Sequence, residues 1–436
     1  MEPHPFFSRV ILVSLSLIYV CAAQAQTQIG SDIDGEAAKD ISGYALSLSS
    51  DASTVAIGAI WNDGNGGAAG HVRVYENVSG TWTQVGSDID GETAGDKSGH
   101  SVSLSGDGSI VAIGAIWNGG NGNEAGHVRV YENVSGTWTQ VGSDINGEAA
   151  GDQSGHSVSL SGDGSIVAIG ARLNDGNGSL NGHVRIYKNV SGIWTQLGLD
   201  IDGEVTEDES GQSVSLSSDG TTVAIGARLN DGNGSVAGHV RVYKNVSGAW
   251  IQVGLDIDGE AAEDYSGWSV SLSSDGSTVA IGASQNDGNG LAAGHVRVYK
   301  NVSGIWTQLG SDIDGEAPND NFGGAVSLSS DGSTVAIGAH LNYGNGEYAG
   351  HVRVYELNNS NIIQVYPNPT TNEINIKVGL GLIGMSYDVY NSNGQIVING
   401  SIQSESTLME LKGFTDGVYL IHIGDDLKQC FKVIKK

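Results

Sequence analysis

The sequence predicts an all-β chain: a six-bladed β-propeller with four antiparallel strands per blade, followed by a small Ig-like β-sandwich. Three observations carry that prediction. A 56-residue unit recurs six times without insertion or deletion. Each period holds four short runs of strand character, and no segment shows a helical apolar spacing.

The chain begins with an export signal over residues 1–25. Arg9 supplies the positive start, Val10 to Val20 form an apolar run of 11 residues, and Ala23-Gln24-Ala25 sets cleavage between Ala25 and Gln26. That run is too short to span a bilayer, which needs about 20 residues. Val20 is too bulky for lipid attachment at Cys21. No later stretch is apolar enough to form a transmembrane segment, so the exported chain is expected to be soluble.

Residues 26–356 hold the repeats. Gly30-Ser31-Asp32-Ile33-Asp34-Gly35-Glu36 recurs from Gly86, Gly142, Gly198, Gly254 and Gly310, and His71-Val72-Arg73-Val74-Tyr75 keeps the same step. In the second copy Ser101 to Ser105 alternates small polar with apolar residues, as a half-buried strand does. Gly106-Asp107-Gly108 turns the chain into the denser apolar Ile110 to Ala115. A polar loop leads to His127 to Tyr131, and Asn133 to Gly136 turns into Trp138 to Gly142. Repeated meanders hide their edges by closing a ring. Thr27-Gln28-Ile29-Gly30 matches an outermost strand without a blade of its own, while the sixth copy lacks that strand. The N-terminal strand is therefore expected to latch the last blade.

Composition agrees with a folded, exported protein. The 67 glycines carry no Gly-X-Y triplet and are accompanied by β-branched residues and regularly placed Trp, which excludes collagen and argues against disorder. Acids outnumber bases 49 to 20, for a net charge of −29, so nucleic acid is excluded as a partner. Of the two cysteines, Cys21 leaves with the signal and Cys430 remains, so packing rather than an internal disulfide holds the mature chain.

Residues 357–363 form a polar linker, and the charge then changes. Residues 364–436 hold 6 basic and 7 acidic residues, a net of −1, against 13 and 41, a net of −28, over 26–363. Strand-like runs separated by Asn-Gly and Asp-Gly turns indicate a sandwich of about 70 residues.

Two resemblances follow from these motifs. Phe322-Gly323 followed by Val335-Ala336-Ile337-Gly338-Ala339 resembles the FG-GAP repeat of integrin-type propellers, in its bacterial variety, over residues 27–356. The family's propellers have seven blades, whereas six are counted here. Its calcium loops carry several acids, whereas Ser217-Ser218-Asp219-Gly220-Thr221 carries one, so that calcium site does not transfer. The tail, with Tyr366-Pro367-Asn368-Pro369 and Gly417-Val418-Tyr419, resembles the type A C-terminal sorting domain of type IX secretion substrates. This resemblance implies passage through the outer membrane on the type IX machinery. Its sortase then removes the tail, and the product is attached to surface lipopolysaccharide or released.

Strand direction gathers the long loops on one face, and loops on a rigid frame are where binding resides. There Asp32, Asp34 and Glu36, with Asp88, Asp90 and Glu92, offer oxygen ligands for Ca²⁺, although an Asx-type turn explains the same pattern. Near-identical copies give every acid pair the same surroundings, which argues against glycosidase chemistry. The six His-x-Arg-x-Tyr strands lie too far apart to converge on one Zn²⁺. Their arginines are expected to pack between blades and pair with the acidic loops, and the repeated Trp to pack blades.

The differences between copies are more informative. One register reads Tyr44, His100, His156, Gln212, Trp268 and Gly324, and is expected to ring the mouth of the central channel. A second, at the exit of the second strand, carries Trp61, Trp117, Arg172, Arg228, Gln285 and His340. Aromatic and amide groups at a mouth suit sugar stacking or peptide binding. The expectation is a secreted or cell-surface, non-catalytic binding or adhesion propeller whose partner is a glycan or protein. A polysaccharide-acting enzyme scaffold and a structural surface-coat protein are the alternatives.

Overall fold

The computed structural model describes residues 29–344, 346, 349–357, 363–378, 384–404, 406–423 and 429–436. The signal-cleavage residues Ala25 and Gln26, and Thr27 and Gln28 of the expected latch, lie outside them. The described chain is all-β.

The first copy sets the pattern. Strands β1 (Ser42–Leu48), β2 (Thr54–Ala59), β3 (His71–Val78) and β4 (Thr81–Gln84) form an antiparallel meander in that order. The crossover to the next copy adds a fifth, two-residue strand, β5 (Ile89–Asp90), which pairs with β3 beside β4. Sequence reading assigned this segment to a turn. Its backbone continues the edge that β4 leaves unpaired, with His71 opposite Asp90 and Val72 opposite Ile89. Four further copies repeat the five-stranded sheet, and the sixth is three-stranded, over Ala325–Leu328, Thr334–Ala339 and His351–Glu356.

The cores lie between sheets. Ala56, Val72, Val74 and Ile89 of the first copy pack on Leu104, Val111, Ile113 and Tyr131 of the second, with Trp138 at the margin. The same apolar faces meet at each later junction, ending with Ala280, Val296 and Val298 against Val335 and Ile337. Residues alternate direction along a strand, so one sheet feeds the core on each side of it. A ladder of turn hydrogen bonds ties the series: Ser50 N–H donates to Gly106 O, Gly106 to Gly162, Gly162 to Ser218, Ser218 to Ser274, and Ser274 to Ser330.

The arrangement is propeller-type, but the expected latch does not form among the described residues. Ile29 O accepts the Trp82 indole N–H at 2.8 Å, as Val85 O does for Trp138, yet no described residue pairs with the outer edge of His351–Glu356. Val352 and Val354 stay 69% and 56% exposed, where the equivalent Val72 and Val74 are buried. At the other end Leu46 and Leu48 are exposed. The two end faces have the composition of the inner junctions without meeting.

The tail forms two antiparallel sheets, of three and four strands, around one core containing Ile374, Ile376, Val389, Leu411, Tyr419, Ile421 and Val433. Asn368 of the Tyr366-Pro367-Asn368-Pro369 segment ties it to the last strand. Its side chain donates to Lys432 O and accepts from Ile434 N–H. The Tyr419 hydroxyl donates to Thr415 O, and Gly417-Val418 opens the strand that pairs with Gln429–Lys435.

Candidate functional site

A bulge positions the first variable register. In the second copy Lys97 and Gly99 both adopt positive φ, and Ser98 pairs with Ala115 before the register skips to Ser101 with Gly114. The glycine carries the left-handed turn at low cost and lets the backbone approach Gly58 of the preceding copy. The residue after it is thereby set at the head of the innermost strand, one per copy.

Those side chains form a contiguous row. The Tyr44 hydroxyl is 3.3 Å from His100 Nε2, and the two rings are 5.2 Å apart. The His100 and His156 rings follow at 4.9 Å, and Gln212 hydrogen-bonds His156. Burial pushes His100 down to about 4, helped by the Arg172 charge against a hydrogen bond to the His156 backbone. His156 is pushed well below its ordinary value by burial, then by Arg172, His100 and Arg228. Both imidazoles are therefore neutral at physiological pH.

The second register joins this row. Arg172 Nη1 donates to Gln212 Oε1 and to Glu209 Oε2, both at 3.3 Å. Arg228 Nε donates to the same Glu209 oxygen at 2.8 Å, and its guanidinium lies 4.8 Å from the Trp268 ring centre. Trp61 and Trp117, half-exposed, flank the ammonium of Lys97, which is buried without a hydrogen-bond partner and held below its ordinary pKa by burial. Gln285 is part-buried and His340 is exposed. Sequence reasoning missed Lys97 and Glu209. They belong to a third variable register, Ile41, Lys97, Gln153, Glu209, Tyr265 and Asn321, whose signal was the same copy-to-copy variation just before the constant glycine.

The acidic loops divide in two. Asp34 and Asp90 serve through their backbones, accepting from Arg73 and Arg129. Glu36 and Asp88 instead face His71, and Glu92 faces His127; Asp32 is exposed at the head of the array. The arginines also reach these loops across the junction, as Arg129 does to Glu92 at 3.7 Å. Asp219 Oδ1 is already engaged by Ser217 and Thr221.

The family comparisons agree with the motifs. Residues 364–436 match the secretion system C-terminal sorting domain, and residues 146–187 and 256–299 match the FG-GAP repeat. The tail marks the chain for type IX export to the cell surface or extracellular space. Beta-agarase A of Zobellia galactanivorans is 39% identical over 59 residues, 14% of this chain and 11% of that protein. The chain thus matches about a tenth of that relative's length. Among solved structures, hydrazine synthase of Kuenenia stuttgartiensis is 13% identical over 72% of this chain and 82% of its own, with a TM-score of 0.44. The periplasmic gluconolactonase of Pseudomonas aeruginosa is 14% identical over 84% and 87%, with a TM-score of 0.47.

Proposed function

We propose that this chain, an exported array of FG-GAP repeats carried on a type IX sorting tail, is a non-catalytic binding protein that takes a glycan on its long-loop face. One observation carries the reading: variable aromatic, amide and guanidinium groups from five successive copies touch one another on an otherwise constant frame. Aromatic faces suit the apolar faces of sugar rings, and Gln212, Arg172 and Arg228 supply orienting hydrogen bonds. The local similarity to a protein named as an agarase is compatible with polysaccharide-rich surroundings. Two guanidinium groups share Glu209, which suits a fixed structural anion better than a proton-transferring acid.

The test is a glycan array with the purified full chain, repeated with Tyr44→Ala combined with Trp268→Ala. Loss of stacking is expected to weaken binding by about tenfold or more. Unchanged binding overturns the site. Turnover of a bound polysaccharide would make the chain an enzyme, and self-assembly without any ligand would make it a coat protein.

A further inference from the structure

A constellation apart from the variable rim repeats five times. Glu36, His71 and Asp88 come together, as do Glu92, His127 and Asp144; Glu148, His183 and Asp200; Glu204, His239 and Asp256; and Glu260, His295 and Asp312. In the first, His71 Nδ1 is 3.8 Å from Glu36 Oε2 and 3.7 Å from Asp88 Oδ2. The three ligand atoms lie within 4.8 Å of one another. The nearest point equidistant from atoms so spaced lies no more than about 2.4 Å from each, close to the roughly 2.0–2.2 Å of zinc bonds to imidazole and carboxylate.

We propose that each of these five constellations binds a divalent transition ion of the Zn²⁺ class. Acidic groups alone would not carry this, and the histidines supply the independent observation. His71 and His127 are each 1% exposed, their Nδ1 atoms aim at the paired carboxylates, and neither ring nitrogen has a hydrogen-bond partner. A buried imidazole left so costs free energy that a metal bond recovers.

The carboxylates are arranged as ligands are. Gln84 Nε2 donates to Asp88 Oδ1 at 2.6 Å and Arg73 Nη1 lies 3.8 Å from Glu36 Oε1, so each acid has one oxygen held from outside and the other turned to the histidine. The second site repeats this with Gln140 on Asp144 and Arg129 on Glu92. Such outer partners orient ligands in metal sites. The part-exposed carboxylates give the ion a route in, and water can complete its shell. One nitrogen with two oxygens selects a borderline ion over Ca²⁺, which takes oxygen alone.

The sixth copy is an internal control. Glu316 is 4.0 Å from His351, but the position 56 residues beyond Asp312 is Asn368, in the tail. Sequence reasoning rejected the histidines because six of them cannot meet at one ion. The first five each have their own two acids instead, drawn from the crossovers on either side of the strand.

The experiment is equilibrium dialysis of the chelator-treated full chain, purified without a polyhistidine tag, against ZnCl₂. About five ions per chain are expected, undiminished by a 100-fold excess of CaCl₂, with an X-ray absorption shell of nitrogen and oxygen. Asp144→Asn combined with Glu92→Gln is expected to lower the count to four with an unchanged far-UV circular dichroism spectrum. His351→Gln is expected to leave it at five. Fewer than one ion retained, a count the double variant does not change, or displacement by calcium each overturns the proposal.

Discussion

At the scale of single residues, the central row depends on His100 and His156 remaining uncharged. In the folded chain burial lowers His100 to about 4, whereas an unfolded imidazole titrates near 6.5. The native state therefore binds fewer protons than the unfolded state between those values. Stability is full above about pH 6.5 and erodes as pH falls toward about 4. The melting temperature should fall across that window. Because His127, His183 and His239 are also lowered to about 4, the site-specific check is an NMR titration of the His100 ring, with a midpoint near 4 expected. A midpoint near 6.5 would mean that the Tyr44–His100–His156 row is solvated and not packed. Trp61 and Trp117 were legible as variable positions, yet the Lys97 ammonium between them was not. Its register sits against a Ser-Gly pair that only the sixth copy changes, to Phe322-Gly323, and only the bulge turns it toward its neighbours.

At the scale of elements, the strands were legible because each junction buries alternate residues of the same short runs, which imprints period two on the sequence. The two-residue β5 left no such imprint, since Ile89-Asp90 is too short to show a period and carries the composition of a turn. The acid–histidine sites were half legible for a related reason. Glu36 and Asp88 were noticed as acids, but their histidine lies on a strand whose neighbours across the junction only the fold defines. Close backbone approach gives a sharp test of the junctions. A Cβ on Gly170 would lie 2.2 Å from Gly211 O, whereas on Gly338 the nearest atom is 3.6 Å away. Gly170→Ala is expected to destabilise by about 3 kcal/mol through overpacking against backbone. Gly338→Ala is expected to be near neutral. Chemical denaturation of both variants reads the difference, and equal losses would mean that the sixth sheet has a neighbour after all.

At the scale of the whole molecule, the copies are alike in sequence and unlike in environment. Stability in a repeat array is a sum of unit terms and junction terms, so a unit with one junction is weaker than a unit with two. Thr222–Ala227 is buried along its whole length, while Thr334–Ala339 alternates buried with part-exposed and His351–Glu356 alternates part-exposed with exposed. Ser42–Leu48 is likewise exposed where Ser210–Leu216 is packed. Opening should therefore begin at both ends and reach the third and fourth copies last. Hydrogen exchange followed by mass spectrometry is expected to show fast exchange in Ser42–Leu48 and His351–Glu356 and the slowest in Ile166–Ala171 and Thr222–Ala227. The expected latch supplies the contrary outcome. If Thr27 and Gln28 carried the chain onto His351–Glu356, both ends would gain a junction, and their protection would rise to that of the middle copies. A flat profile would thus establish closure, and a graded one establishes that identical faces remain unmet at the two ends.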